Sequence, residues 1–273
     1  MVKGYKPRSL AEALQIRSKQ EVVPYGGGTD LMIQAQQDKP YLFLDSVPEM
    51  KKIYVQDGVL HIGGSCTFTE VLAHADVPQL MKEAVSRIAA PAIRNAGTMA
   101  GNIGNGSAKA DSVLIDFVAD AKLRLASVRG ERIVPIAEFY KGRKKLDLAA
   151  DELIVEILLP AEGLENFYYQ KVGVRKALAI SRISFAAVLK LKGSRIEDVA
   201  IAFGAVSDTV LRFRSLEEKL IGLDTAAARK QKQALLEAYG EKLHLTRGRV
   251  SAEYRKSVCL NLLRAFLDEK IGA

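Results

Sequence analysis

Val22 to Gln34 reads VVPYGGGTDLMIQ, with three consecutive glycines directly behind a short β-like run. Glycine tolerates positive φ and lets another group approach the backbone closely. Gly26, Gly27 and Gly28 before Thr29 and Asp30 therefore predict a turn whose N–H groups face a ligand, and a phosphate is the natural candidate. Further on, Ile93 to Ser112 reads IRNAGTMAGNIGNGSAKADS, again dense in Gly, Asn, Ser and Thr and without helical or strand periodicity. It reads as a second long loop built for backbone contact, and two such cradles suit a diphosphate.

The familiar phosphate motifs do not fit either loop. Gly101 to Gly106, GNIGNG, has the glycine spacing of a P-loop, but Ser107 stands where that motif requires Lys and Lys109 is displaced. The dinucleotide pattern G-x-G-x-x-G fails at both loops, and no acidic residue follows in a strand–turn–helix–strand frame. Thr29 and Thr98 can add hydroxyls, Asn102 an amide and Asp111 a carboxylate that accepts from sugar or ribityl hydroxyls. Either loop alone reads first as a sharp turn between strands; the case for a ligand rests on the pair.

Local signals place the loops in a frame. Ser9 to Glu12 is a capping box opening a helix with Leu10, Ala13 and Leu14, and Thr67 to Glu70 is a second one opening a helix through Ala73. YLFLDS, VLHIGGS, AKLRLAS and ELIVEILLP read as strands, Pro78 as the first turn of a helix ending near Ala90, and Ser112 to Ala119 as a helix. The pattern resets around Ala161 to Glu165. Beyond it come NFYYQKVGV, ISFAAVLKLK and DVAIAFGAV as strands, then helices near Ser215 to Ile221, Thr225 to Tyr239 and Ser251 to Lys270. That order predicts an α+β unit with helices on one sheet face. The last helix repeats Tyr254, Val258, Leu262 and Phe266, which reads as its core-facing stripe.

With 273 residues, 48% of them hydrophobic, the chain can bury more than one core. No apolar run approaches the roughly 18 residues of a membrane span, and the opening MVKGYKPRSLAEALQ lacks the apolar core of a secretory signal, so a cytoplasmic chain is expected. Cys66 and Cys259 are isolated, and His61, His74 and His244 share no ligand spacing, so no metal site is expected. The net charge of +8 peaks in YKGRKKLD, Tyr140 to Asp147, which reads as a solvated loop. Without interleaved aromatics it does not suggest nucleic-acid binding.

PYGGGTDLM, LHIGGSCTFTEVL, PAIRNAGTMAGNI and ADSVLIDFVADAKLRL together strongly resemble the FAD-binding subunit, or medium chain, of molybdenum hydroxylases, the xanthine dehydrogenase and carbon monoxide dehydrogenase family. The likeness continues through KVGVRKALAISRISFAAVLKL and IAFGAVSDTVLR to YRKSVCLNLLRAFL, so it covers essentially the whole chain. It implies an α+β architecture: a two-lobed FAD-binding fold of the vanillyl-alcohol oxidase and murein reductase type, with lobes at 1–55 and 56–162. A C-terminal α+β domain follows at 163–273, its sheet covered by helices as in CO dehydrogenase flavoproteins. In this resemblance Gly26, Gly27, Gly28, Thr29, Asp30 and Leu31 form the first cradle, and Thr98, Gly101 and Asn102 lie in the second. Asp111 holds ribityl or ribose hydroxyls, and Arg182 falls where relatives can carry a Lys close to the isoalloxazine ring. From the residues alone, Asp111 also fits a helix N-cap and Arg182 a surface position on a strand.

The resemblance further implies that FAD on this chain does the chemistry and that no side chain is catalytic. Electrons would come from a small partner subunit with [2Fe-2S] clusters, fed by a large subunit with a molybdenum cofactor, and leave to NAD or another acceptor, in a dimer of heterotrimers. Two departures stand out: Ala100 replaces the first glycine of the family's T-x-G-G-N, and Ser112 replaces the proline after Asp111. A stand-alone flavin reductase or oxidase of the same fold, or a scaffold subunit with a vacant cradle, are the alternatives.

Overall fold

The computed structural model describes residues 4–34, 39–246, 248 and 250–272. The chain forms two compact units that alternate along the sequence. The first takes Met1–Val77, Ile88–Ser107 and Asp120–Ala161; the second takes Pro78–Arg87, Ala108–Ala119 and Glu162–Ala273. The fold class is α+β, as the sequence implies.

In the first unit, strands Gly4–Tyr5 and Val23–Tyr25 flank Tyr41–Phe43 in a parallel sheet. A separate antiparallel sheet has the order Ile53–Gln56, Val59–Gly63, Leu153–Pro160, Lys122–Ser127, Gly130–Pro135. Helix Leu10–Lys19 begins where Ser9 accepts the Glu12 N–H, and buries Ala13 among Val22, Leu42, Met50 and Val155. Arg17, on the same helix, donates to the Val22 and Glu152 carbonyls, both at 2.9 Å. Helix Phe68–Ala73 carries the complete Thr67–Glu70 capping box.

In the second unit, strands Phe167–Val172, Ile183–Lys192, Arg195–Gly204 and Leu211–Arg212 form an antiparallel sheet in that order. Side chains alternate by face. Ile183, Phe185, Ala187 and Leu189 join Ile201 and Phe203 in a core with Leu235, Tyr239, Cys259, Leu263 and Phe266 of helices Thr225–Lys242 and Ala252–Lys270. The opposite residues, Ser184, Ala186, Ala200, Ala202 and Gly204, are small and buried. Small residues permit close approach, and helix Asp111–Val118, every residue of which is buried, packs on these two strands. Helices therefore cover both faces rather than the one expected, because the second cover comes from far upstream in the sequence.

Four other expectations change. The stretch from Ile93 is not all loop: Pro91–Arg94 and Met99–Gly104 are short helices, the second held by bonds to the distant Cys66 and Gly64 carbonyls that composition does not reveal. The helix after Pro78 runs Gln79–Ser86 with Pro78 as its N-cap. The basic run is a small hairpin, Tyr140–Gly142 with Lys145–Leu146. In the last helix the inward stripe is Arg255, Cys259, Leu263, Phe266 and Leu267, while Tyr254 is 51% exposed. A strict four-residue repeat drifts around the helix by about 40° per step, which is why Tyr254 and Phe266 do not share a face.

Candidate functional site

The parallel ladder of Val23–Tyr25 ends at the glycines, with Leu44 N–H bonded to the Tyr25 carbonyl at 3.0 Å. Each glycine then meets a different neighbour. A Cβ on Gly26 would overlap Thr98 Oγ1, one on Gly27 would overlap the Ala96 carbonyl and approach Gly97 N to 2.8 Å, and one on Gly28 would run into the Tyr25 ring. Gly28 also has φ +67, in the left-handed region. Two of the three glycines thus let the first loop lie directly on residues 96–98 of the second.

The backbone donors of this loop are the chemical feature. Among the described residues, no acceptor takes the N–H groups of Gly26 through Asp30, while Met32 and Ile33 bond back to Gly28 and Asp30 to close the turn Leu31–Gln34. Gly26 to Thr29 are half-buried and Asp30 is exposed. Successive unclaimed amides around a left-handed residue form a concave anion site. Asp30 does not leave its carboxylate loose in it, since Asn105 Nδ2 donates to Asp30 Oδ2 and fastens the loop to the end of the second.

The second loop differs in kind. Thr98 caps Met99–Gly104, its Oγ1 accepting the Gly101 N–H at 3.2 Å. Met99 N–H donates to Cys66 O, Ala100 N–H to Gly64 O and Asn102 N–H to Thr98 O, each at 3.0 Å. The first four amides of this helix therefore all have partners within the chain, and its contribution to an anion site is to hold the first loop. Thr98 is buried, Asn102 half-buried and Gly101 exposed. Ala100 has helical backbone, and its methyl is given room by Gly64, where an added Cβ would come within 2.9 Å of it. Gly104, in the same helix, has open space: the nearest atom to an added Cβ is Ile154 Cδ1 at 3.8 Å. Gly104→Ala is expected to stabilise the chain by about 0.5–1 kcal/mol through backbone entropy alone. Thermal unfolding checks this; a lowered midpoint would mean that the position is needed bare.

Asp111 and Arg182 belong to the second unit. Asp111 is the first residue of its helix, the N-cap being Ala110 with no side-chain bond, so Asp111 does not serve as the cap. Its Oδ2 accepts from Lys171 Nζ at 2.8 Å and its Oδ1 from Ser181 Oγ at 2.7 Å. Lys171 Nζ also donates to the Arg87 carbonyl at 2.8 Å. Nearby, Arg87 lies over the Tyr169 ring, and burial first, then the charge of Asp111, pushes the Tyr169 phenol up. Arg182 is half-buried, its N–H bonded to the Val172 carbonyl at 2.9 Å. Sequence reasoning did not single out Lys171 and Ser181. They lie 60 and 70 residues from Asp111, beyond any local periodicity, and the sole hint was a lysine inside a strand.

Burial pushes both cysteine thiols up to about 12, so Cys66 and Cys259 stay protonated at neutral pH rather than acting as thiolate ligands. Among the described residues, no group of three or more His, Cys, Asp or Glu could hold a metal ion, and no helix is long and apolar enough to cross a membrane.

The sequence and the fold both have known counterparts. Residues 1–162 match the FAD binding domain in molybdopterin dehydrogenase, and residues 168–270 match the CO dehydrogenase flavoprotein C-terminal domain. The chain belongs to the family of FAD-binding subunits of molybdopterin dehydrogenases. It is 30% identical to the xanthine dehydrogenase FAD-binding subunit of Escherichia coli O157:H7, over 98% of this chain and 96% of that one. It is 31% identical to the nicotinate dehydrogenase FAD-subunit of Eubacterium barkeri, over 80% of this chain and 79% of the relative. A chain of carbon monoxide dehydrogenase from Hydrogenophaga pseudoflava shares its fold, with TM-score 0.90 at 24% identity, covering 98% of this chain and 96% of that one.

Proposed function

We propose that this chain is the FAD-carrying electron-transfer subunit of a molybdenum hydroxylase, receiving electrons from a [2Fe-2S] partner subunit and passing them to NAD or another acceptor. The observation that carries the reading is the run of unclaimed amides from Gly26 to Asp30, in a family that binds FAD. In this reading Gly26, Gly27, Gly28, Thr29, Asp30 and Leu31 hold the diphosphate, and Thr98, Gly101 and Asn102 bound it on the other side. Each Asp111 oxygen takes one internal donor, which leaves a lone pair on each for a ribityl or ribose hydroxyl. Arg182 supplies a cation for the isoalloxazine ring. When bound, FAD supplies the conversion between single electrons and a hydride pair. The chain's own residues bind and orient it, and none is assigned a catalytic role.

Partners follow from the same chemistry. Two buried, isolated cysteines cannot ligate [2Fe-2S] clusters, which need about four Cys each, so the clusters belong on another chain. The relatives' names carry xanthine, nicotinate and carbon monoxide, which supports a substrate pocket on a large subunit with the molybdenum cofactor. A cytoplasmic dimer of heterotrimers completes the reading.

The test is the visible spectrum of the purified chain after incubation with FAD and desalting, followed by anaerobic NADH. Retained flavin that bleaches is the expected result. Retained flavin that ignores NADH would reject NAD as the acceptor, and a colourless chain would reject the FAD site.

A further inference from the structure

The connection from Gly173 to Arg182, between strands Phe167–Val172 and Ile183–Lys192, is a poor candidate for order on its own sequence. It exposes Val174, Leu178 and Ile180, the last at 71%, and holds Leu178 at φ 53. A left-handed backbone costs a residue with a Cβ about 1–2 kcal/mol, so something must hold it. Inside the loop, the Arg175 guanidinium donates to the Ala177 and Leu178 carbonyls, which shapes the tip without tying it down.

The ties are at the base, and they converge. Lys171 stands on the entering stem and Ser181 on the leaving one, and both bond to the same carboxylate. We propose that Asp111 is a two-sided clamp, a positioning residue that fixes loop 173–182 by holding one stem with each of its oxygens. Bonds to an ionised group are roughly twice as strong as neutral ones, and these are sheltered from water: the side chains of Lys171 and Asp111 are 10% and 4% exposed, and Ser181 is buried. Lys171 cannot swing away with the loop, because its ammonium also holds the Arg87 carbonyl. Arg182, adjacent to Ser181, is set in place by the same contact. Only that last consequence rests on the flavin reading; the clamp acts in the free chain.

Site-resolved trypsin cleavage of the full chain, without flavin, tests it. Arg175 and Lys176 are exposed in the loop, and Arg143 and Lys144 in the hairpin give an internal reference. Ser181→Ala and Lys171→Met are each expected to speed cleavage at Arg175 and Lys176 about tenfold relative to the reference, as a local opening freed of one charged bond should. Ser181→Thr and Lys171→Arg keep a donor and are expected to stay near the wild-type ratio. Wild-type ratios in the Ala and Met variants would overturn the clamp, and so would equal acceleration in the conservative pair. If one pair does not fold, the other decides. FAD retention is measured separately, so a chain that shows this pattern yet holds no flavin refutes the cofactor reading and leaves the clamp standing.

Discussion

Gly27→Val is expected to leave a chain that retains no FAD after desalting and unfolds at a lower temperature than wild type. The reason is the identity of the atoms the new side chain meets. A Cβ at Gly27 falls on the Ala96 carbonyl and within 2.8 Å of Gly97 N, all backbone. Backbone cannot rotate aside as a side chain can, so the first loop must lift off the second and the row of amides from Gly26 to Asp30 loses its curvature. Gly26→Ala makes the useful contrast, because its Cβ meets Thr98 Oγ1, which can turn away. That variant is expected to hold FAD more weakly while remaining loaded at saturating cofactor. We expect an affinity loss of at least about 100-fold for Gly27→Val, equivalent to about 2.7 kcal/mol. Stoichiometric flavin in Gly27→Val would show that the loops' contact is irrelevant to the cofactor.

Asp116 offers the second large effect, this time on stability. It lies in helix Asp111–Val118, is wholly buried, and among the described residues neither carboxyl oxygen has a hydrogen-bond partner. Burial alone pushes its carboxyl up to about 8. In the unfolded chain the group ionises near the ordinary carboxylate value, whereas the folded chain keeps its proton over about four more pH units. Stability from this group is therefore fully present below pH of about 4 and is lost as pH rises to about 8, a total of roughly 5 kcal/mol. Asp116→Asn cannot ionise. The difference in unfolding free energy between variant and wild type should therefore grow in the variant's favour from pH 5 to pH 8 and level off above. Urea unfolding followed at the second unit, at pH 5, 7 and 9, measures it. Parallel pH curves would mean that Asp116 finds a partner or water that the fold does not show.

Features written in neighbouring residues were legible. The signals at Ser9 and Thr67 declared two helices because all their partners lie within four residues, although only Thr67 forms the full box: Glu12 accepts the Arg8 N–H rather than that of Ser9. The short apolar run Ile183–Lys192 declared a strand for the same reason. Helix Met99–Gly104 was hidden by its glycines, since what holds it is Cys66 and Gly64, brought alongside by the fold. The glycine triplet marked the right place, though the sequence suggested bare backbone for a ligand and the structure adds contact with residues 96–98 and Tyr25. Asp111 was singled out without Lys171 and Ser181, since a carboxylate's partners across a sheet leave no spacing to read.

The alternation of the chain between its two units bears on modularity. The residues up to 162 match one named domain, and those from 168 match another, so the sequence looks divisible at that point. The units are not divided there: Gln79–Ser86 and Asp111–Val118 belong with the C-terminal sheet, against whose strands they pack. A fragment beginning after 162 would leave Ala186, Ala200 and Ala202 facing water in place of a helix, and the complementary fragment would carry the apolar helix Asp111–Val118 and the apolar face of Gln79–Ser86 with nothing to cover. The two named segments therefore do not coincide with the two compact units, and a chain cut between them is expected to leave both pieces with uncovered apolar surface.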